Sequence, residues 1–180
     1  MVITKESKVN AIKLVGITEI DEKNFLEYIG SWQKQCEQIS PSSCDVKHLT
    51  FSEWKKEQQT LQKDETLPEG LVRADTLFLI EENGYILGAI NLRYTMNDDL
   101  LKFGGHMSFG IRPEERRKGY GFILIKLAFN TLRGNGITRA LITVSRDNKA
   151  AKSIVRKIGG RLENAYESKG NVIDRYWISL

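Results

Sequence analysis

The residues that most often announce a metal or thiol centre are scarce in this chain. Two cysteines and two histidines occur among 180 residues. Cys36 and Cys44 lie in a polar, loop-like stretch, no CxxC pair is present, and His48 and His106 stand far apart in sequence. A zinc centre has no ligand spacing to rest on, and the two cysteines are expected to be free thiols in a reducing compartment. Long apolar runs are missing too. No stretch approaches the roughly 18 continuous apolar residues that a spanning helix needs, and the opening MVITKESKVNAIKL holds no apolar leader segment. Repeats and low-complexity tracts are absent. The expectation is a metal-free cytoplasmic protein with no membrane association.

What is present is an ordinary globular balance, 41% apolar and 28% charged, in a chain long enough to bury one full core. Residues 1–180 are therefore read as a single domain. The net charge of +4 conceals an asymmetry. Residues 1–100 carry 11 basic and 17 acidic residues, a net of −6, and residues 101–180 carry 16 and 6, a net of +10. The second half would attract an anion.

Periodicity supplies the elements. Residues 12–16 read as a strand and 21–38 as a helix, with Asp21 as its cap and Phe25, Ile29, Trp32 and Cys36 at helical spacing. A second helix is expected over 51–62. The period then changes: TLFLIEE and YILGAINLRYT flank Asn83-Gly84, a hairpin signal, and residues 106–111 form a third strand that Pro113 ends. Ile123, Leu124, Leu127, Ala128 and Leu132 describe a helix face from Tyr120 to Leu132, stopped by Gly134 and Gly136. RALITVS is a buried strand, NKAAKSIVRKIGG a short helix, and the remainder a closing hairpin. Strands that alternate with helices in this order predict an α/β (α+β) fold, a mixed and mostly antiparallel twisted sheet flanked by helices.

One stretch carries chemistry. Ile111-Arg112-Pro113 leaves a strand, and Arg116-Arg117-Lys118-Gly119-Tyr120-Gly121 opens a helix, whose free N–H groups and partial positive charge suit a phosphate. A Walker loop, GxxxxGK[ST], does not occur, and the dinucleotide pattern GxGxxG fails at Leu124. The R-x-x-G-x-G spacing resembles the acetyl-CoA loop of the GNAT N-acetyltransferases. DNKAAKSIVRKIGG, with Asn148, Ala151, Ile154, Lys157 and Gly159 in place, is similar to a second segment of that family.

The resemblance implies a GNAT-like fold with splayed central strands and acetyl-CoA as co-substrate. Its pyrophosphate would approach the amides of residues 117–122, including Phe122, because residues 119 and 121 lack side chains. Arg116, Arg117 and Lys118 would add charge near the phosphates. The free edge at Phe109, Gly110 and Ile111 would bind the pantetheine arm as a further strand would, and Asn148 and Ser153 would add contacts. Direct transfer to an amine then needs a neutral amine, an oxyanion donor and a proton for the leaving thiolate. A backbone N–H near Phe109 to Ile111 is the natural oxyanion donor.

The proton donor departs from the family pattern. Many members carry a tyrosine seven residues after the asparagine, where this chain has Val155, so a water or a tyrosine such as Tyr166 or Tyr176 would have to serve. His106, at the start of the strand that points at the thioester, is the candidate base; its alternative is a strand-end histidine with structural hydrogen bonds. Arg93 and the Asp98-Asp99 turn either line the acceptor side or form a solvated hairpin. Trp32, Trp54 and Trp177 read as packing. The expected partner is a small-molecule or peptide amine. Nucleic acid is not expected, since no interleaved aromatic and basic strand motif accompanies the basic half, and homodimerisation is left open. The other reading is a non-catalytic CoA-binding module that regulates or docks.

Overall fold

The structure, a computed structural model, describes residues 11–180. The N-terminal stretch in which no leader was expected lies mostly outside the described residues. In chain order the elements are β1 (Ile12–Gly16), α1 (Glu22–Lys34), α2 (Phe51–Thr60), β2 (Ala74–Glu81), β3 (Ile86–Arg93), β4 (Met107–Ile111), α3 (Tyr120–Gly134), β5 (Arg139–Ser145), α4 (Lys149–Lys157), β6 (Arg161–Ser168) and β7 (Asn171–Ser179).

Local chemistry sets the boundaries. The Asp21 carboxylate accepts the Asn24 N–H at 2.8 Å and starts α1. That helix ends at Lys34 rather than 38, and Cys36 then takes a left-handed φ of 54°. Thr50 and Glu53 form a reciprocal capping box on α2. Gly84, at φ 84°, turns β2 back into β3.

The expected sheet is divided. Four strands pair in the order β1-β2-β3-β4 and three in the order β5-β7-β6, and every registered pairing is antiparallel. No ladder joins β4 to β5 among the described residues. A main-chain bond from His106 N to Leu141 O, 2.8 Å, ties the two sheets just before β4 begins. Beyond it the strands part, so the splay implied by the resemblance is the boundary between two sheets.

Two cores flank the larger sheet. On one face α1 and α2 bury Phe25 stacked on Trp54, with ring centroids 4.1 Å apart, against Phe78, Ile80 and Ala89. On the other, Leu124, Ile125, Ala128 and Leu132 of α3 pack against Leu79, Ile90 and Leu92 and continue to Ile142, Val155 and Tyr176. Alternation along β3 assigns Ala89, Asn91 and Arg93 to the α1/α2 face, and Ile90 and Leu92 to the α3 face.

Candidate active site

The register of β4 fixes what its free edge offers. Arg93 N–H donates to His106 O at 2.8 Å and Arg112 N–H to Leu87 O at 2.9 Å. By alternation, Ser108 and Gly110 also exchange bonds with β3, and Phe109 and Ile111 turn their N–H and C=O groups away from it, towards the cleft. The two carbonyls are occupied. The Ser40 hydroxyl donates to Phe109 O at 2.9 Å, and Arg116 Nε donates to Ile111 O at 3.3 Å. The N–H groups are left to the cleft. Gly110 has a separate role: the Ser40 carbonyl occupies the space its Cβ would need, so the segment after α1 crosses β4 in van der Waals contact.

The loop before α3 is built to leave amides bare. Arg117 and Gly119 take left-handed φ values of 66° and 88°. Among the described residues, the N–H groups of 117–121 make no hydrogen bond, and the first main-chain donor of the helix with a partner is Phe122 N. A run of unsatisfied donors at a helix start is an anion cradle. The side of Gly119 where a Cβ would stand is open: apart from its chain neighbours and its own helix, no atom of the described residues lies within 4 Å. Gly121 differs from expectation. Its Cβ would lie 2.8 Å from Ile154 Cδ1, so its missing side chain admits α4 rather than a ligand.

The three cations divide by partner. Arg116 makes a bidentate bond to Glu37, 2.8 and 2.5 Å, with its guanidinium 5.0 Å from the Trp32 ring centre. This pairing holds the Glu37 carboxyl below its usual range, and it ties the loop to the segment that follows α1. Lys118 pairs with Glu115 at 2.8 Å. Arg117 has no hydrogen-bonding or ionic partner among the described residues and is the free cation of the loop. Tyr120 is half-buried against the core. Phe122 is half-buried, with the Lys157 and Lys126 ammonium groups 4.9 and 5.9 Å from its ring centre.

Across the cleft, Asn148 caps α4, its Oδ1 accepting from Ala151 N at 3.0 Å, which leaves the amide nitrogen for a ligand. Ser153 is exposed on the same helix. Val155 is fully buried in the core. Of the two tyrosines considered as donors, Tyr166 packs its ring on Phe103 at the edge of the molecule. Tyr176 is buried in the same core as Val155, and its hydroxyl has no hydrogen-bond partner among the described residues.

His106 serves the other role weighed for it. Its Nδ1 accepts the Leu141 N–H at 2.9 Å, inside a ring contact with Trp177. Because the amide can only donate, the ring proton sits on Nε2, and no lone pair remains for a substrate proton. Burial holds its pKa below the ordinary histidine value, and the Arg93 charge acts in the same direction. As placed, His106 is a strut between the sheets.

On the α1/α2 face a cavity of about 750 Å³ opens over β2 and β3, with Asn91 and Arg93 in its floor and Asp99 on its rim. Asp98 is not part of its lining. Sequence reasoning did not anticipate Glu37, Ser40 or Asn91. The first two act through contacts 79 and 69 residues away, for which no local signal exists. Two polar residues at period two, Asn91 and Arg93, in an otherwise apolar strand would have pointed to the cavity. Cys36 is exposed, Cys44 is buried, and both are free thiols. Trp32 and Trp54 are buried as packing residues.

The model of the acetyltransferase (GNAT) family matches residues 41–159. The mycothiol acetyltransferase of Streptomyces coelicolor is 30% identical over 82 residues, 46% of this chain and 26% of that protein. The chain thus spans about a quarter of the length of that curated relative. The ribosomal-protein-S5-alanine acetyltransferase of Vibrio fischeri superposes with a TM-score of 0.68 at 12% identity, covering 98% of this chain and 96% of that one. The protein yncA of Salmonella typhimurium, solved with its cofactor acetyl-CoA, gives 0.62 at 15% identity over 94% of each chain. At such identities these structures speak for the fold.

Proposed function

Because this chain belongs to the GNAT acetyltransferase family, we propose that it transfers the acetyl group of acetyl-CoA directly to a primary amine. The observation that carries the reading is the run of bare amides at 117–121, beside a strand edge whose Phe109 and Ile111 N–H groups face the same cleft. Acetyl-CoA supplies the activated thioester. The amides of 117–121 and the Arg117 guanidinium would hold its phosphates, and Gly119 keeps their approach clear. The β4 edge would align the pantetheine arm as an added strand, and Asn148 would contact it from α4.

For the transfer itself the chain must polarise the carbonyl, receive a neutral amine and return a proton to sulfur. The Phe109 N–H, fixed by the β4 register, is the oxyanion donor in this reading. The amine enters from the α1/α2 face and gives its proton to water, because His106 is committed to Leu141. Over the whole transfer the nitrogen gains acetyl and loses a proton, and the departing thiolate gains one. Tyr176 is the group proposed to supply it, regaining its proton from solvent once the products leave: its buried hydroxyl has no other partner among the described residues and lies in the core that Val155 lines.

Val155 also favours a second reading, a module that binds CoA without turnover. One experiment separates the two. Purified protein with acetyl-CoA and a panel of primary amines is followed by thiol release, and thermal shifts are recorded with CoA, NAD and ATP. Transfer predicts thiol release with at least one amine and a shift that CoA gives and the others largely do not. A CoA shift without any turnover leaves the module. Equal shifts with all three ligands overturn both.

A further inference from the structure

The cavity over β2 and β3 has a floor unlike the rest of that face. Asn91 and Gln58 line it, Thr76 is bonded to both from outside the lining, and all three are more than nine-tenths buried. The Asn91 amide donates to Thr76 Oγ1 at 3.2 Å, and the Thr76 hydroxyl, 2.9 Å from Ser43 Oγ, donates to Gln58 Oε1 at 3.0 Å. Asn91 Oδ1 accepts no hydrogen bond among the described residues. Beside it stands Arg93, whose Nη1 donates to the carbonyls of Gly104 and Gly105 and whose Nη2 donates to Ser108 Oγ, each at 3.2 Å. No carboxylate lies within ion-pair distance of this guanidinium among the described residues. Burial lowers its pKa, the mark of a cation kept partly dry without a counter-charge.

A desolvated, unpaired cation is costly in a folded protein unless something completes it. The cavity's own carboxylates do not, since Asp45, Glu57 and Asp99 are exposed on the rim. The arrangement is therefore polarised, with one cation and a free carbonyl-type acceptor in the floor and, around the mouth, the carboxylates of Asp45, Glu57 and Asp99 against the single ammonium of Lys47. Its position is also defined. Arg93 is bonded to Ser108, the residue immediately before Phe109, so an anion held by Arg93 lies next to the strand edge where transfer is proposed.

We propose that this cavity is the acceptor pocket and that it selects an amine carrying a carboxylate, an α-amino acid or a small equivalent. Arg93 binds the carboxylate, Asn91 Oδ1 accepts from the amine, and the rim carboxylates draw the ammonium form into the mouth. The inference rests on the acetyl-transfer reading and adds the class of acceptor to it.

The experiment compares wild-type thiol release, at saturating acetyl-CoA, for neutral L-amino acids, for their α-amides, and for aliphatic diamines. Acid and amide share the side chain, and because the carboxamide also lowers the basicity of the amine, each kcat/KM is expressed per neutral amine, so that the remaining difference is the carboxylate's. The expected result is a preference for the acid over its amide of about 10²-fold in kcat/KM, as loss of a charged hydrogen-bonded partner implies. Arg93→Met should bring that ratio to within a few-fold of one while its CoA-induced thermal shift is retained. The thermal shift that acid and amide each add to the CoA-bound enzyme repeats the comparison without turnover. Equal use of acid and amide, or a preference for diamines, overturns the pocket assignment and leaves acetyl transfer standing. No thiol release with any amine overturns the transfer reading, and this one with it. Should Arg93→Met fail to fold, the wild-type ratio decides alone.

Discussion

His106 shows how one hydrogen bond redirects a reading made from residue type. A histidine at the mouth of a cleft suggests a base, yet the Leu141 amide takes its Nδ1 lone pair and burial lowers its pKa below 6.5. The stability consequence has a definite sign. Between the folded pKa and 6.5 the unfolded chain binds the proton and the native state does not, so stability falls as pH drops through that window. Urea midpoints followed from neutral to mildly acidic pH should show this fall in the wild type and a flatter profile in His106→Gln, whose amide oxygen can still accept from Leu141. The same variant should keep kcat/KM within a few-fold and retain any rising limb near neutrality; loss of about 10²-fold activity with the limb would restore the base role. Tyr176 makes the opposite case. Removing a hydroxyl that has no partner should leave stability unchanged or slightly raised, so Tyr176→Phe separates chemistry from packing. The proposed role predicts that turnover at saturating substrates falls by about tenfold or more with an unaltered urea midpoint, whereas full activity would hand the proton to water.

Elements explain why the loop was legible and its supports were not. The spacing from Arg116 to Gly121, the strand before it and the helix after it are local, and short-range rules reach them. The contacts that hold the loop are tertiary: Glu37, three residues past α1, takes the Arg116 charge, and Ile154 of α4 fills the space beside Gly121. The two glycines look equivalent in sequence and differ in structure. Gly119 is needed for its left-handed φ, which costs other residues about 1–2 kcal/mol, and Gly121 is needed for the approach of α4. A double-mutant cycle tests the second point. Gly121→Ala gains helix propensity but places a methyl against Ile154 Cδ1, and Ile154→Val deletes that atom. The two changes together should be more stable than the sum of the singles by about 0.5–1 kcal/mol, read from denaturant midpoints. Additivity would mean that the helices are not in contact there.

At the scale of the whole molecule, composition and strand periodicity gave the α/β class and the antiparallel hairpins, because alternation is a property of each strand alone. The splay between β4 and β5 was implied only by the resemblance, and the full division into two sheets was not expected, since pairing between β4 and β5 depends on residues far apart in sequence. That division has a thermodynamic consequence. Past the His106–Leu141 bond, β4 and β5 share no ladder among the described residues, so a ligand bonded to the β4 edge, to the α3 amides and to α4 would span both sheets. A ligand that binds only the native state adds RT ln(1 + [L]/Kd), about 2.7 kcal/mol at 100 Kd, which for a chain of this size corresponds to roughly 5–10 °C in Tm. The gain should also be localised. In hydrogen exchange, CoA should slow the amides of Phe109, Ile111 and residues 117–121, which lack internal partners, far more than those of the β2–β3 hairpin, which are already paired. The Leu141 amide, at the junction of the sheets, should slow as well, because opening there would separate the two halves of the site. A Tm shift accompanied by uniform protection would place the ligand elsewhere on the basic half of the molecule. Protection confined to 117–121, with Leu141 unchanged, would show that the phosphates bind and that the arm does not lie along β4.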